Sequence, residues 1–278
     1  MSLQLMYITN QPEIAQIAED SGVDRIFIDM EYIGKELRQG GMDTVQNHHT
    51  INDIYTIRKC INNSKVLVRI NPIHEASYDY FNTEDEVKAA IDAGAEILML
   101  PMYKSVADVE RFIKAVNGKA TVLLLAETIE ATNIMENVVN IAEVDEIHLG
   151  LNDLHLALGK KFMFELLADG TVDKLCKIIK PSGKKYGFGG IARLGYGTLP
   201  AEKIIMDHYR LGSTMAILSR SFCNAGKIKN LNEIHDIFIK EVARIRDIEK
   251  IYSKCTIEEF QENHQEIISL VNQIKDSI

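Results

Sequence analysis

Residues 83–101 read TEDEVKAAIDAGAEILMLP, and this stretch contains one complete helix–strand unit. Thr83 and Glu86 have the spacing of a capping box, and the amphipathic helix that they open ends at Gly94. Residues 95–101 are apolar almost throughout, which is typical of a parallel strand covered on both faces. The stretch therefore predicts a helix followed directly by a buried strand.

The same unit recurs along the chain. Seven further apolar runs alternate with amphipathic stretches, at residues 5–8, 24–29, 65–71, 121–126, 146–150, 186–191 and 213–218. Eight strand–helix units are typical of an α/β protein with a (β/α)8 TIM barrel. A doubly wound sheet is the alternative, but it needs no fixed number of strands and usually carries a glycine-rich first turn, which this sequence lacks. The sequence therefore predicts the barrel, with additional C-terminal helices.

Two helices are predicted after the eighth strand. Apolar residues recur at helical spacing over residues 230–252, and a second helix restarts at Thr256. We predict a catalytic barrel over residues 1–225 and a helical extension over residues 226–278. The first helix closes the barrel, whereas the second has no partner within it. We expect the second helix to pack against a neighbouring subunit; the alternative is that it folds back over its own barrel mouth.

Composition limits the classes of partner. The chain has 278 residues, of which 46% are hydrophobic and 26% charged, so it has enough apolar material for a core and is not disordered. Its net charge of −9 and the lack of a basic block argue against nucleic acid as a partner. No apolar run is long enough to span a membrane, and the start does not resemble a signal peptide. Four scattered cysteines favour a reducing, cytoplasmic location.

Two carboxylates follow neighbouring strands. Glu127 follows strand 5 and Asp153 follows strand 6, and residues at the carboxyl ends of barrel strands meet at one mouth. Crowded carboxylates repel each other unless a cation lies between them. An oxygen-rich site with two carboxylates suits a hard divalent ion. The sequence therefore predicts a site for Mg²⁺ or Mn²⁺, although other divalent cations are possible.

An arginine and a glycine turn complete the predicted site. Arg69 ends strand 3, where its planar guanidinium can bind a substrate carboxylate or a developing enolate oxygen. Backbone amides of residues 150–153 can hold a small carboxylate, with Gly150 leaving room and Asn152 and Asp153 beside it. Because no lysine ends strand 6 or 7, a Schiff base is disfavoured. These residues predict a site for a 2-oxo acid whose enolate is stabilised by a metal.

Five motifs occur in a fixed order along the chain, namely DMEY (29–32), VRIN (68–71), AAIDAGAEILMLPM (89–102), LLLAET (123–128) and HLGLNDLHLALG (148–159). Together they resemble the 2-oxo-acid aldolase and citrate lyase beta-subunit family, which includes hydroxy-oxo-heptanedioate aldolases and acyl-CoA lyases such as malyl-CoA lyase. The resemblance implies a metal-dependent lyase with a barrel fold that assembles as a homo-oligomer, a trimer or hexamer, with terminal helices exchanged between partners.

The resemblance also assigns roles to single residues. It implies that Glu127 and Asp153 bind the metal and that Arg69 stabilises the enolate. It implies that the turn from Gly150 to Asp153 binds the substrate carboxylate through its amides. It further implies that Asp29 and Asp92 orient the catalytic base.

The base itself departs from the family pattern. Pyruvate aldolases of the family carry a histidine after Asp-x-Glu, whereas this chain has Tyr32. A phenol with an ordinary pKa near 10 is a poor base at neutral pH. We therefore consider His48, His49 or a metal-bound water as replacements, with Tyr32 kept among the candidate catalytic residues.

Three functions follow. The first is a class II aldolase type of carbon–carbon lyase acting on a 2-oxo acid. The second is a lyase for the CoA thioester of a 3-hydroxy acid, for which Lys104, Arg193 and Arg220 are the candidate phosphate contacts. The third is a barrel that binds a ligand without turnover, a reading motivated by Tyr32. All three predict a small-molecule ligand and a homo-oligomer.

Overall fold

Eight parallel strands form a closed barrel in the computed structural model, which describes residues 2–34, 47–228 and 230–277. Each strand pairs with the next, and the first pairs with the last. Every predicted strand is present, with ends that shift by two residues at most. The (β/α)8 fold is therefore confirmed. The strands are β1 (Gln4–Ile8), β2 (Arg25–Asp29), β3 (Lys65–Arg69), β4 (Ile97–Leu100), β5 (Thr121–Ala126), β6 (Glu146–Leu149), β7 (Lys185–Ile191) and β8 (Met215–Leu218).

Helices lie between the strands and after the last one. A short 3-10 turn, Lys180–Ser182, follows one of them directly. The helices in the described ranges are α1 (Pro12–Asp20), α2 (Ile51–Cys60), α3 (Thr83–Asp92), α4 (Val106–Val116), α5 (Ile129–Asn133), α6 (Met135–Val138), α7 (Leu151–Ala157), α8 (Glu165–Ala168), α9 (Thr171–Ile179), α10 (Ala201–Leu211), α11 (Leu231–Tyr252) and α12 (Ile257–Ser277).

Helix α3 begins one residue earlier than the capping pattern of the sequence predicted. Asn82 is the N-cap, and its side chain accepts a hydrogen bond from the Asp85 amide at 2.8 Å. Thr83 instead lies inside the helix, where its hydroxyl donates to the carbonyl of His74 at 3.1 Å. The predicted Thr83–Glu86 capping box is therefore wrong, because a neighbouring asparagine supplies the cap and the threonine anchors the preceding loop.

Alternating residues of the strands fill the barrel interior. Inward-facing side chains form an apolar cluster separate from the larger one under the helices, as expected when successive side chains point to opposite faces. Because the side chains of this inner cluster fill the barrel interior, no channel runs through the described part of the barrel below its mouth. The buried members of the inner cluster are Met6, Phe27, Leu67, Ile97, Met99, Leu123, Leu125 and Met215.

A buried ion pair spans the amino end of the barrel. Arg25 begins β2 and Glu146 begins β6, which lie on opposite sides of the eight-strand ring. Two hydrogen bonds of 2.5 and 2.8 Å join the guanidinium to the carboxylate, and Gln4 accepts a third from the same guanidinium at 2.6 Å. Both side chains of the pair are at most 6% exposed. The pair therefore links opposite walls of the barrel.

The C-terminal helices pack against their own chain. Helix α11 contacts α1, and its Arg246 donates to the Leu3 carbonyl at 2.7 Å. Helix α12 contacts α8 and α10 and buries Ile267 and Val271. The second tail helix thus has partners within its own chain, so the expectation that it has none is wrong, whereas its packing against a neighbouring subunit stays a prediction. The domain boundary at residue 225 and the homo-oligomer remain predictions.

Two composition-based expectations concern this architecture. In the described part of the chain, we find no helix with the length and apolar character needed to cross a membrane. Cys60, Cys176, Cys223 and Cys255 all lie in described segments, and none forms a disulfide.

Candidate active site

A cavity of about 460 Å³ opens at the carboxyl ends of the strands. Most of the predicted site residues line it, namely Asp29, Arg69, Glu127, Gly150, Asn152 and Asp153. Residues after β1 and β8 complete the wall opposite, including Asn10, Ser219, Arg220 and Asn224. Mouths of this kind are where TIM barrels place their chemistry.

Arg69 is held by two carboxylates. Its Nε and Nη2 each donate to Asp29 at 2.8 Å, and its Nη1 lies 3.3 Å from Glu31. Burial alone would lower the pKa of Arg69, but Asp29 and Glu31 raise it above the ordinary value. The bidentate contact fixes the plane of the guanidinium. Arg69 is therefore a permanently charged donor with a set orientation.

His49 contacts the same aspartate through the backbone. The amide of Asp29 donates to Nδ1 of His49 at 3.0 Å, and the buried ring lines the cavity. Because a backbone amide can only donate, Nδ1 is the acceptor, and the neutral ring carries its proton on Nε2. Because Nδ1 already accepts this hydrogen bond, its lone pair is not available to take a proton from a substrate, which argues against Nδ1 of His49 as the base.

Glu127 is positioned by an unusual backbone conformation. The amide of Met102, just after β4, donates to Oε1 of Glu127 at 3.2 Å. Met102 has a φ of 53°, in the left-handed region that non-glycine residues rarely adopt. Glu127 itself is 3% exposed. The strained residue therefore directs an amide at a buried carboxylate.

Gly150 is required for space and not for its amide. Its N–H donates to the Ala126 carbonyl at 3.0 Å and continues the β5–β6 ladder. The expectation that this amide binds substrate is therefore wrong. A Cβ at this position would lie 2.7 Å from the Cβ of Glu127 and 2.8 Å from its Oε2. The missing side chain thus leaves room beside the carboxylate.

We expect Gly150→Ala to weaken ligand binding in the cavity by about tenfold, since the new methyl group must displace Glu127, and a displacement of about 1 Å is costly at an active site. Titration calorimetry with oxalate and Mn²⁺ measures the change. Gly159→Ala is the matched control, because a Cβ there meets nothing within 4 Å, although its φ of 67° adds local strain. Equal affinity in wild type and Gly150→Ala would contradict the packing argument.

Asp92 lies outside the site. It ends α3, and because helices of the barrel run opposite to the strands, the end of a helix lies at the amino end of the barrel. Its carboxylate is 60% exposed and pairs with Lys88 at 2.6 Å. Within one chain, Asp92 therefore does not reach the site, and its predicted role in orienting a catalytic base has no support there, since the motif identifies the residue but not the end of the barrel at which it lies.

Tyr32 lies beside the cavity and is not one of its lining residues. Its ring packs against Tyr80 with centroids 5.3 Å apart. Partial burial and the nearby Glu86 raise the pKa of Tyr32 above its ordinary value of 10. A phenol with a raised pKa is a still weaker base at neutral pH. The location and the pKa both argue against Tyr32 as the base, and His48 is exposed and also outside the cavity lining.

The three basic residues considered for CoA phosphates do not converge. Only Arg220 lines the cavity. Arg193 stacks on Tyr196 at 4.2 Å, and Lys104 begins the turn that leads into α4. These positions do not favour a basic groove at the mouth.

Two buried residues near the site were missed by sequence reasoning. Glu86 accepts a hydrogen bond from the Asn71 side chain at 2.9 Å, and Asn71 in turn accepts from the amides of Tyr32 and Ile33 at 3.0 Å. Burial raises the pKa of Glu86. His148 lies on the cavity floor, two residues before Gly150 on the same face of β6. Strand alternation could have revealed His148, whereas the Glu86 contact depends on a tertiary approach.

Metal-ligating groups are sparse in the described ranges. Within residues 2–34, 47–228 and 230–277, no three His, Cys, Asp or Glu side chains form a group that could hold a metal ion. Glu127 and Asp153 both line the cavity, so they provide two carboxylates there. Any ion at this place would take its other ligands from water or substrate.

Comparison with known proteins adds a family and a fold. Residues 4–168 match the family model of HpcH/HpaI aldolase/citrate lyase. No curated protein matches the chain.

Solved structures resemble this barrel at low sequence identity, so the likeness concerns the fold. An HpcH/HpaI aldolase from Desulfitobacterium hafniense DCB-2 has a TM-score of 0.56 at 16% identity, covering 78% of this chain and 86% of that one. A family protein from Burkholderia cenocepacia J2315 has a TM-score of 0.60 at 16% identity, covering 84% and 95%. The citrate synthase SbnG has a TM-score of 0.57 at 14% identity, covering 78% and 85%.

Proposed function

Because this chain belongs to the HpcH/HpaI aldolase/citrate lyase family, we propose that it is a divalent-metal-dependent carbon–carbon lyase of the class II aldolase type. It cleaves or forms a 2-oxo acid through a pyruvate-like enolate, and Mg²⁺ or Mn²⁺ is its cofactor. The observation that carries the proposal is that Arg69, Glu127 and Asp153 line one cavity at the barrel mouth.

The carboxylates fit a hard divalent ion. Glu127 is buried with Oε1 fixed by the Met102 amide, and the lack of a side chain at Gly150 avoids crowding Oε2. Two carboxylates with substrate and water oxygens are a usual ligand set for Mg²⁺. Glu127 and Asp153 would hold the ion. When bound, it supplies a Lewis acid for the keto oxygen of the substrate.

Arg69 stabilises the charge that develops during cleavage. In cleavage, the hydroxyl on carbon 4 of the substrate gives its proton to a water molecule acting as base, its oxygen becomes the aldehyde carbonyl, and the bond between carbons 3 and 4 breaks. The electron pair of that bond forms a double bond between carbons 2 and 3, and the negative charge of the resulting enolate lies on the keto oxygen. The guanidinium is already oriented by Asp29, so little reorganisation is needed when this charge appears. Asp29 is thus a positioning residue that acts through Arg69.

His49 contributes to the position of Asp29. Its Nδ1 accepts a hydrogen bond from the Asp29 amide, and the buried ring lines the cavity. His49 is thus a positioning residue that acts on Asp29 and, through it, on Arg69.

Oxaloacetate decarboxylation tests the proposal, because a site that stabilises the pyruvate enolate also accelerates this reaction. We expect turnover that depends on added Mg²⁺ or Mn²⁺. Lack of acceleration with either ion would refute the lyase and leave the barrel that binds without turnover. Binding of acetyl-CoA, measured by calorimetry, would instead favour the thioester lyase.

We expect Arg69→Lys to lower the metal-dependent decarboxylation rate by about 10²-fold, because lysine cannot make the bidentate contact that orients the charge. The measurement is kcat and KM for oxaloacetate. Arg58→Lys is the control, since Arg58 makes its ion pair with Glu96 outside the cavity. A rate for Arg69→Lys within twofold of wild type would exclude the assigned role.

A further inference from the structure

A carboxylate from a helix is buried against the carboxyl end of β3. Glu86 lies in the first turn of α3, and Asn71 lies two residues after Arg69; both are buried. Oε1 of Glu86 accepts from the Asn71 side-chain amide at 2.9 Å and from the Asn71 backbone amide at 3.2 Å. Two contacts from another element therefore fix the position and the side-chain orientation of Asn71.

The other end of the Asn71 side chain binds the segment that follows β2. Its Oδ1 accepts from the backbone amides of Tyr32 and Ile33, each at 3.0 Å. These partners also assign the amide, because an oxygen is needed for the two N–H donors and a nitrogen for the carboxylate of Glu86. Asn71 and Glu86 both lie outside the lining of the cavity, so neither touches a substrate in it.

The segment bound by Asn71 carries a carboxylate that contacts Arg69. Glu31 directly precedes Tyr32 and is 1% exposed, and its Oε2 lies 3.3 Å from Nη1 of Arg69. Asp29 accepts from the other two nitrogens, Nε and Nη2. The position of Glu31 therefore affects the orientation of the whole guanidinium.

Electrostatic repulsion makes the attachment of this segment necessary. Asp29 and Glu31 are both buried and carry like charges beside a single guanidinium, so they repel each other. Asp29 ends β2, whereas Glu31 lies beyond the strand, where the ladder no longer fixes the backbone. The two hydrogen bonds to Asn71 oppose a movement of Glu31 away from Arg69.

We propose that Asn71 and Glu86 are a positioning pair that sets the orientation of Arg69 through Glu31. This inference rests on the proposed function, in which Arg69 stabilises the enolate charge. Loss of the pair should lower kcat for oxaloacetate decarboxylation and change KM little, because that charge develops only in the transition state.

Asn71→Leu removes the pair, because leucine neither donates nor accepts. We expect kcat with Mg²⁺ to fall about tenfold, since a small displacement of a catalytic group is costly. A double-variant cycle with Arg69→Lys shows whether Asn71 acts through Arg69. In the Arg69→Lys background, Asn71→Leu should lower kcat by less than about twofold, because the contact that Asn71 positions is already lost. Equal factors in both backgrounds would overturn the proposal.

An exchange variant tests the hydrogen bonds themselves. In Asn71→Asp with Glu86→Gln, the glutamine amide donates to the aspartate, and the aspartate still accepts from the two backbone amides after Glu31. We expect kcat within about threefold of wild type, since each hydrogen bond has a replacement and the net charge is unchanged. The control is Asn137→Asp with Glu136→Gln, which makes the same exchange at exposed positions of α6.

The outcomes separate this inference from the proposed function. If wild type turns over oxaloacetate with Mg²⁺ and Asn71→Leu has the same kcat, the pair has no positioning role and the lyase stands. An exchange variant as slow as Asn71→Leu would also overturn the pair. If wild type shows no metal-dependent turnover, the lyase fails and this inference with it. Unfolding midpoints verify folding, and Asn71→Ala, which removes the same contacts without adding volume, replaces the leucine variant if that one does not fold.

Discussion

Glu127→Gln is expected to abolish metal-dependent binding of oxalate, an enolate mimic, and to lower lyase activity about 10³-fold. The glutamine keeps the shape of the side chain and can still accept from the Met102 amide, so the variant removes the charge with little change in packing. A cation at the site then has one carboxylate in place of two. Loss of several kcal/mol of electrostatic stabilisation corresponds to a rate effect of this size.

Calorimetry of oxalate with and without Mn²⁺ is the measurement. Glu130→Gln is the matched control, because Glu130 is three residues away on the exposed start of α5 and does not line the cavity. It should bind oxalate as wild type does. If Glu127→Gln binds oxalate in the presence of Mn²⁺ with wild-type affinity, Glu127 is not a ligand and the metal lies elsewhere.

Glu146→Gln is expected to destabilise the protein by about 3–5 kcal/mol, because it leaves the buried Arg25 guanidinium without its counter-ion. For a chain of this size, that change lowers the unfolding midpoint by roughly 10 °C. At temperatures well below the unfolding midpoint, kcat should change little, because the ion pair lies at the amino end of the barrel and the candidate site at the carboxyl end. Thermal unfolding and kcat together check the prediction.

A double variant distinguishes the cost of an unpaired charge from the value of the pair. Arg25→Met with Glu146→Leu replaces both partners by apolar side chains, and we expect it to be more stable than Glu146→Gln alone. Asp247→Asn is the control, because its pair with Lys250 is exposed and should leave the midpoint unchanged. If Glu146→Gln has the same unfolding midpoint as wild type, the buried ion pair does not contribute to the stability of the folded protein.

The barrel could be predicted from the sequence because its strands are buried on both faces. Such strands are apolar almost throughout, so each of the eight runs was visible without knowledge of its neighbours. The location of Arg69 and Glu127 followed from the same pattern, since a residue that ends a barrel strand lies at the mouth. The strands and these two residues could be predicted because they depend only on the sequence of residues along each short segment.

The remaining features depend on tertiary geometry. Asp92 ends an amphipathic helix whose sequence resembles a family motif, but only the direction of the helix in the barrel shows that Asp92 lies at the amino end, away from the mouth. The φ of Met102 and the amide that it directs at Glu127 have no signature in the residue type. His49 follows a long polar stretch of sequence, and its contact with the Asp29 amide joins residues that are 20 positions apart, which no local pattern encodes.

Closure of the ring also determines when the site can form during folding. β1 pairs with β8, so residues near the start of the chain acquire their second neighbour only after residues 215–218 are available. The segment that matches the family, residues 4–168, contains β1–β6 and would expose unpaired edges on both outer strands. Open edges are prone to pairing with other chains. A nascent chain of that length therefore carries most of the lyase residues while being aggregation-prone, and the last two strands remove both edges at once.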